Sequence, residues 1–285
     1  MTLPRESFWR TGWHAVNGFS QFCREWQPPE HRGLPLLALH GSLTQSGMWI
    51  APVETAGSLR TVCPDQRGFA MSEDPGRDAC ADFAADACAL AQRLFVGRYV
   101  LVGHSFACSI ALEAARMDRD RVAAVVLVDP VVRVGPPGSA APSAPLPDSF
   151  ATVEEAARHF RTTEEGVWTE DTLVRFVRDI MIHDPATGQW RFPYTSARLR
   201  RLRAFTASPA SDYDLFAKAR AVRAPVLIFR GGASTRFPAA AEPPFVAAFP
   251  SKPKLVLCPA SGHFPTATEP AVLIEALTRF LDRIA

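Results

Sequence analysis

The residues that decide the fold are Tyr99-Val100-Leu101-Val102-Gly103-His104-Ser105-Phe106-Ala107. The first four form a short apolar run, which predicts a strand that is buried on both faces of a sheet. A helical pattern begins at Ala107, so the chain must turn sharply from strand to helix at Ser105. Gly103 and Ala107 are small enough to let the strand and the helix pass each other. The pattern therefore predicts a serine exposed at the end of a strand, facing the backbone N–H groups of a helix N-terminus.

Other apolar runs alternate with helical patterns along the chain. The predicted strands are Leu36–Leu39, Arg60–Cys63, Tyr99–Val102, Val125–Val128, Val226–Phe229 and Lys254–Leu257. The predicted helices are Ala81–Phe95, Ala107–Met117, Pro243–Phe249 and Ala271–Ile284. This alternation is typical of an α/β protein that has a parallel sheet with helices on both faces. Ligands of such proteins bind at the carboxyl ends of the strands.

Composition narrows the class of protein. The chain has 285 residues, of which 47% are apolar and 21% charged, with a formal net charge of +2. These values are typical of a folded globular protein and exclude a disordered chain or a fibrous repeat. The densest basic stretch, residues 198–203, is short, and we interpret it as a solvated helix face. Without a clustered basic surface we expect neither a nucleic acid nor a membrane as partner.

Targeting and metal-binding signals are absent from the sequence. No apolar run approaches the roughly 20 residues that span a bilayer. The first residues, Met1–Ser7, carry charge before any apolar segment, so we expect no secretion signal and a cytoplasmic location. The six cysteines form no C-x-x-C pair, which makes a zinc site or a disulfide scaffold unexpected.

Three other predicted strands also lead into polar residues. His40-Gly41-Ser42 follows the strand Leu36–Leu39, and Gly41 would let the backbone N–H of Ser42 join that of Phe106 in an oxyanion hole. A turn from Asp65 to Ser72 follows the next strand, and its Asp65 and Arg67 are interpreted as structural. Near the C-terminus, Gly262-His263 follows the strand Lys254–Leu257, where His263 could deprotonate Ser105. His104 could contact substrate or only fill the turn.

Together these motifs resemble those of the α/β-hydrolase fold superfamily over almost the whole chain. The resemblance rests on His40-Gly41, the D-x-R-G-x-x-x-S turn from Asp65 to Ser72, the elbow around Ser105 and the terminal Gly262-His263. It implies a mostly parallel sheet of the eight-stranded type with a helical lid. It also implies a serine nucleophile of the esterase or lactonase kind.

The acid of the expected triad departs from the family pattern. Most members carry an Asp after the strand that corresponds to Val226–Phe229, and here Ser234 stands in that place. Two acids could substitute: Asp129, at the end of the strand Val125–Val128, and Glu242, which opens a helix. The resemblance to family branches whose acid follows the earlier strand favours Asp129. For Asp129 a turn-capping role before Pro130 stays open, and for Glu242 a role at the helix N-terminus is favoured.

One long interval breaks the alternation of strands and helices. Five prolines lie between Gly135 and Pro147, and helical, charged segments follow as far as residue 220. We expect residues 135–220 to form an inserted helical lid, and residues 1–134 and 221–285 to form the hydrolase core. A solvated linker is the alternative, but it would leave many aromatic side chains without cover. These are Phe160, Trp168, Phe176, Trp190, Phe192, Tyr194 and Phe205.

The function expected from these residues is acyl transfer. Ser105 would attack the carbonyl of a small, largely apolar ester, thioester or lactone, or of a diketone in a related C–C cleavage, with His263 as base and Asp129 as acid. No metal or organic cofactor is implied, the partner is a small-molecule substrate, and a homo-oligomer is possible. One alternative is a cofactor-free lyase or oxygenase in which His263 and its acid act as the base. Another is a ligand-binding protein with little turnover.

Overall fold

The computed structural model describes residues 8–132, 147–163, 166–208 and 210–284. Its strands are β1 Trp9–Val16, β2 Phe19–Trp26, β3 Leu36–Leu39, β4 Thr61–Pro64, β5 Tyr99–His104, β6 Val122–Val128, β7 Ser149–Phe150, β8 Ile182–His183, β9 Trp190–Arg191, β10 Val226–Gly231 and β11 Lys254–Cys258. Its α-helices are α1 Ile50–Ala56, α2 Cys80–Leu94, α3 Ala107–Met117, α4 Val153–Thr163, α5 Glu170–Ile180, α6 Ser196–Ala207, α7 Leu215–Ala221, α8 Glu242–Ala247, α9 Pro265–Thr268 and α10 Pro270–Leu281. Short 3-10 helices span Ser46–Trp49 and Ala239–Ala241.

Among the described residues, eight strands form one sheet in the order β1-β2-β4-β3-β5-β6-β10-β11. The pairs β1–β2 and β2–β4 are antiparallel, and all the others are parallel. The predicted fold class, a mostly parallel sheet with helices on both faces, is confirmed. Because β3, β5, β6, β10 and β11 run in the same direction, their carboxyl ends meet at one edge of the sheet.

The continuous apolar runs of the central strands are explained by burial on both faces. In β5, Leu101 packs with α2 and α3 in one apolar cluster, whereas Val100 and Val102 face a second cluster with α1 and α10. Both clusters have side chains that are almost completely shielded from solvent. Burial of this kind contributes roughly 25 cal/mol per Å² of apolar surface to stability, so the sheet stabilises the strand ends that carry residues of the candidate site.

A hairpin that the sequence analysis did not predict extends the sheet at one edge. Strands β1 and β2 pair from Trp9 with Trp26 to Val16 with Phe19, and Asn17-Gly18 forms the two-residue loop. Both loop residues have positive φ, +46° at Asn17 and +87° at Gly18. Asn-Gly between two strand-like runs is a strong hairpin signal, so the sequence did contain the information.

The described part of the predicted lid contains helices α4 to α7. It also contains a small antiparallel sheet in the order β7-β9-β8, which was not predicted. Helix α7 packs with Leu215 and Ala219 in the same apolar cluster as α2 and α3. The hinge expected at residues 135–147 lies, apart from Pro147, outside the described residues. The division of the chain at 135 and 220 therefore stays a prediction.

The interpretation of residues 198–203 as a solvated helix face is wrong at its first arginine. Arg198 of α6 is only 3% exposed, and its Nη1 lies 2.5 Å from Asp78 Oδ1. Its guanidinium also stacks 5.1 Å from the ring centroid of Phe69. Arg201, about one turn later in α6, binds both Asp74 and Asp78. Acidic residues distant in sequence neutralise this face, and local charge patterning cannot show such partners.

Within the part of the chain that is described, no helix is both long enough and apolar enough to cross a membrane.

Candidate active site

Ser105 lies in a strained turn between β5 and α3. Its φ is +57°, a conformation that is rare for residues other than glycine. A Cβ atom at Gly103 would lie 2.4 Å from the carbonyl oxygen of Ala107, so only glycine fits there. The turn is held by the Ser105 N–H, which donates to the Val128 carbonyl oxygen at 2.9 Å. The serine hydroxyl is thereby fixed at the carboxyl edge of the sheet.

The structure brings Ser105, His263 and Asp129 together in one hydrogen-bonded chain. His263 Nε2 lies 2.8 Å from Ser105 Oγ, and His263 Nδ1 lies 2.6 Å from Asp129 Oδ2. All three are buried, at 7%, 6% and 0% exposure. An ionised carboxylate can only accept, so Nδ1 carries the proton and Nε2 is free to accept one from Ser105.

Asp129 is held by donors other than histidine. It directly follows β6 with φ +45°. Its Oδ1 accepts the Gly231 N–H at 2.9 Å, and its Oδ2 accepts the Ser234 hydroxyl at 2.6 Å. Ser234, which stands where most members of the family carry the acid, therefore contacts the candidate acid Asp129.

Glu242, the other candidate acid, lies elsewhere. Its Oε2 accepts from Arg230 Nε at 2.9 Å at the start of α8, and its side chain is 33% exposed. The structure does not bring it to His263.

The backbone beside Ser42, one of the residues predicted for the oxyanion hole, passes close to the serine. A Cβ atom on Gly41 would lie 3.2 Å from Ser105 Cβ and 2.7 Å from His104 Nδ1, so the backbone after β3 passes directly beside the serine. Ser42 and Phe106 are half-buried. Among the described residues, no acceptor is paired with the backbone N–H of either one. Both donors are therefore available for a developing negative charge.

Two histidines beside the site have structural contacts. His104 is 1% exposed, and its Nε2 donates to the His263 carbonyl oxygen at 2.8 Å. Burial, reinforced by the nearby His263, holds the pKa of His104 well below its ordinary value, so the ring stays neutral. His40 donates from Nδ1 to the Gly41 carbonyl and accepts the Gln66 N–H at Nε2; burial lowers the pKa of this ring too. Of the two roles considered for His104, the contacts favour filling the turn.

The turn after β4 supports the same edge. Asp65 accepts the backbone N–H groups of Ser46 and Met71, and Arg67 forms a buried ion pair with Asp86 at 2.6 Å. These contacts are structural, as the sequence indicated.

Aromatic side chains from the predicted lid region pack over the histidine loop. Phe264 directly follows His263, and its ring lies 4.9 Å from Phe176 and 6.4 Å from both Phe160 and Trp168. The backbone of residue 167 donates to the Ala260 carbonyl at 2.8 Å. The loop that carries His263 is thus covered by this region.

Within the described ranges, no three His, Cys, Asp or Glu side chains form a group that could hold a metal ion.

Comparisons with known proteins agree with this architecture. Residues 36–276 match the alpha/beta hydrolase family. Since that match spans most of its length, the chain belongs to the alpha/beta hydrolase family.

Two relatives of this chain have names that give hydrolase activity on different substrates. The chain is 26% identical over 255 residues to 2-(acetamidomethylene)succinate hydrolase from Mesorhizobium japonicum, a match that covers 87% of this chain and 88% of that protein. It is 33% identical over 130 residues, 42% of each chain, to 2-hydroxymuconate semialdehyde hydrolase from a Pseudomonas species. The crystal structure of an alpha/beta hydrolase from Novosphingobium aromaticivorans superposes with a TM-score of 0.76 at 24% identity, covering 97% of this chain and 99% of that one. This last likeness shows the fold alone.

Proposed function

We propose that this protein is a serine hydrolase that cleaves its substrate by acyl transfer through Ser105. The observation that carries the proposal is the continuous chain of hydrogen bonds from Ser105 Oγ through His263 to Asp129. In that arrangement a base lies within reach of the nucleophile's proton, and a carboxylate orients the base.

The first half of the reaction forms an acyl-enzyme. Ser105 Oγ bonds to the substrate carbonyl carbon while its proton moves to His263 Nε2. The Asp129 carboxylate stabilises the imidazolium that results. When the tetrahedral intermediate collapses, His263 returns the proton to the leaving group, and the acyl group stays on Ser105. In the second half, water replaces the leaving group, and the same proton transfers release the acid and free Ser105.

The oxyanion of each tetrahedral intermediate would be bound by the backbone N–H groups of Phe106 and Ser42. Loss of one such donor slows acyl transfer by about 10²–10³-fold. These two positions would therefore act through their backbone, and their side chains would matter little.

The substrate we propose is a small, largely apolar ester, thioester or lactone, or a diketone cleaved at a related C–C bond. The aromatic rings of Phe160, Trp168, Phe176 and Phe264 beside the histidine loop support an apolar acyl or leaving group. The relatives' names share hydrolysis but differ in substrate, so the bond is proposed from the site.

Labelling with a fluorophosphonate tests the proposal. We expect the wild type to form a covalent adduct on the peptide that carries Ser105, and Ser105→Ala to form none. Ser109→Ala is the matched control, because Ser109 lies on α3 one turn beyond and is also buried. It should label like the wild type. A folded wild-type protein that turns over substrate without labelling would instead support the lyase or oxygenase alternative.

A further inference from the structure

The Ser234 hydroxyl lies behind the carboxylate of the triad. Ser234 follows β10 and is 6% exposed. Its Oγ lies 2.6 Å from Asp129 Oδ2, the same oxygen that accepts the proton of His263 Nδ1. The hydroxyl belongs to the network of the site and is linked to Ser105 through Asp129 and His263.

Backbone contacts fix the direction of the Ser234 proton. Oγ accepts the N–H of Arg236 at 3.2 Å and that of Phe237 at 3.1 Å. A hydroxyl has two acceptor positions and one proton, so both acceptor positions are filled. The single proton can then point only at Asp129.

The same turn holds both oxygens of the Asp129 carboxylate. Gly231 donates to Oδ1 at 2.9 Å, and the Ser234 N–H closes the turn on the Gly231 carbonyl at 3.2 Å. Rotation of the carboxylate would break the bonds from Gly231 and Ser234 together. The turn from Gly231 to Ser234 thus fixes the orientation of the Asp129 carboxylate, in which Oδ2 accepts from His263 Nδ1.

We propose that Ser234 is a positioning residue that orients the Asp129 carboxylate and, through it, the imidazole of His263. This inference rests on the proposed acyl-transfer function. With the hydroxyl in place, Oδ2 stays on Nδ1, and Nε2 stays directed at Ser105 Oγ. Since Asp129 and His263 separate Ser234 from the serine, its loss should affect the chemical step and leave substrate binding unchanged.

Steady-state kinetics of three variants test the role. We expect Ser234→Ala to lower kcat by about 10–100-fold, the usual effect of removing a residue that orients a catalytic group, with KM unchanged within about twofold. Ser234→Thr keeps the hydroxyl and should restore most of kcat. Ser72→Ala is the matched control. The Ser72 hydroxyl is similarly buried, donates to the Asp65 carbonyl at 2.6 Å and accepts the Phe22 N–H at 2.9 Å, away from the triad.

A spectroscopic readout separates positioning from general destabilisation. A short hydrogen bond to a carboxylate moves the proton NMR resonance of His263 Nδ1–H far downfield. We expect Ser234→Ala to shift or broaden that resonance and Ser72→Ala to leave it in place, even if both variants lose similar stability in urea. Should Ser234→Ala fail to fold, Ser234→Cys carries the same test, because a thiol keeps the volume but is a weak donor.

The inference is overturned if Ser234→Ala, or Ser234→Cys in its place, keeps kcat within about threefold of the wild type with the resonance unmoved. Ser105→Ala, measured alongside, separates the two failures. If Ser105→Ala is inactive and the Ser234 variant is not, only the role of Ser234 is wrong. If Ser105→Ala keeps its activity, the proposed acyl transfer is wrong.

Discussion

Ser105 and Asp129 share an unusual backbone conformation at the ends of neighbouring strands. Their φ angles are +57° and +45°. Such conformations cost about 1–3 kcal/mol each and persist where the surrounding structure holds them. Here the N–H of Ser105 donates to Val128 and that of Asp129 to Phe229, each across the sheet. The sheet therefore holds strain at two of the residues that we propose for catalysis.

We predict that glycine is more stable than alanine at position 105. Both substitutions remove the hydroxyl, but only glycine relieves the positive φ, so Ser105→Gly should be more stable to urea than Ser105→Ala by about 1 kcal/mol. At Ser109, inside α3, the order should reverse by a similar amount of about 1 kcal/mol. The same order at both positions would contradict a strained turn at Ser105.

We predict that Asp129 is the acid and that Glu242 is not. Asp129→Asn replaces the carboxylate that accepts from His263 Nδ1 with an amide that can donate to Nδ1 instead. Because that donation favours the tautomer with the proton on Nε2, which cannot accept the proton of Ser105, kcat should fall by about 10⁴-fold. Glu242→Gln should change kcat by less than about threefold, because this carboxylate pairs with Arg230. The kcat values of both variants are measured with the best ester substrate. Full activity in Asp129→Asn would contradict the assignment.

At the scale of single residues, the sequence indicated Ser105 and Asp129 because each follows a clear apolar run, and the family resemblance favoured Asp129 over Glu242. His263 was indicated by its place in a Gly-His loop a few residues beyond a weaker strand pattern. The contact from Ser234 to Asp129 could not be predicted. It depends on a turn that brings two strand ends, 105 positions apart in sequence, within 2.6 Å. The catalytic roles themselves stay predictions.

Among the structural elements, α5 places an acidic residue against the core. Asp179 near its C-terminus packs so closely that its carbonyl oxygen would lie 1.8 Å from a Cβ atom on Gly47. Its carboxylate faces Arg175 at 3.9 Å, and Arg24, Arg178 and Glu54 are the other charges around it. Burial raises the pKa of Asp179 to about 6 despite the arginines.

This gives a pH dependence of stability. The folded protein holds the Asp179 proton up to about pH 6, whereas the unfolded chain loses it near the ordinary pKa of 3.8. The unfolded state therefore binds fewer protons at Asp179 in that window, so the contribution of Asp179 to the free energy of unfolding falls as pH rises from about 4 to 6, by no more than about 3 kcal/mol.

Urea unfolding at several pH values measures this effect. Asp179→Asn should lack the contribution of Asp179 to the pH dependence. Between pH 4 and 6, the free energy of unfolding of this variant should therefore fall less, or rise more, than that of the wild type. Asp171→Asn, at the exposed start of the same helix, should keep the wild-type slope. An unchanged slope in Asp179→Asn would show that this carboxyl is not the titrating group.

Strands and helices could be predicted from the sequence where each segment was long enough to carry a clear pattern. The central strands were predicted within a few residues from their continuous apolar runs, and α3 from its helical pattern. The strands β7, β8 and β9 have two residues each, too few for any pattern. The hairpin β1–β2 carries a turn signal at Asn17-Gly18, but its strands are less apolar than the central ones and do not stand out as strands.

For the whole molecule, the near-balance of charge bears on how substrate arrives. The net charge is +2, and basic residues such as Arg198 and Arg201 are neutralised by Asp74 and Asp78. A protein without a strong field gives little electrostatic steering. With an uncharged substrate, we predict that kcat/KM changes by less than about twofold between 0.05 and 0.5 M salt, since screening acts mainly on charged encounters. A steep salt dependence would indicate a charged substrate.

The parallel part of the sheet could be predicted from the alternation of strands and helices, and the family match agrees with it. The antiparallel hairpin β1–β2 was not predicted. The packing of the predicted lid region on the core could not be predicted from the sequence. It depends on contacts such as that between residues 166–168 and the loop 260–262, which no local pattern reveals.

Acyl transfer through Ser105 is tested most directly by trapping its intermediate. Protein turning over an activated ester is quenched in acid and examined by intact-mass and peptide mass spectrometry. The account predicts an acyl group on the peptide that contains Ser105, absent from Ser105→Ala, together with a loss of at least about 10³-fold in kcat in that variant. Turnover by Ser105→Ala within about tenfold of the wild type, with no acyl adduct in either protein, would contradict it.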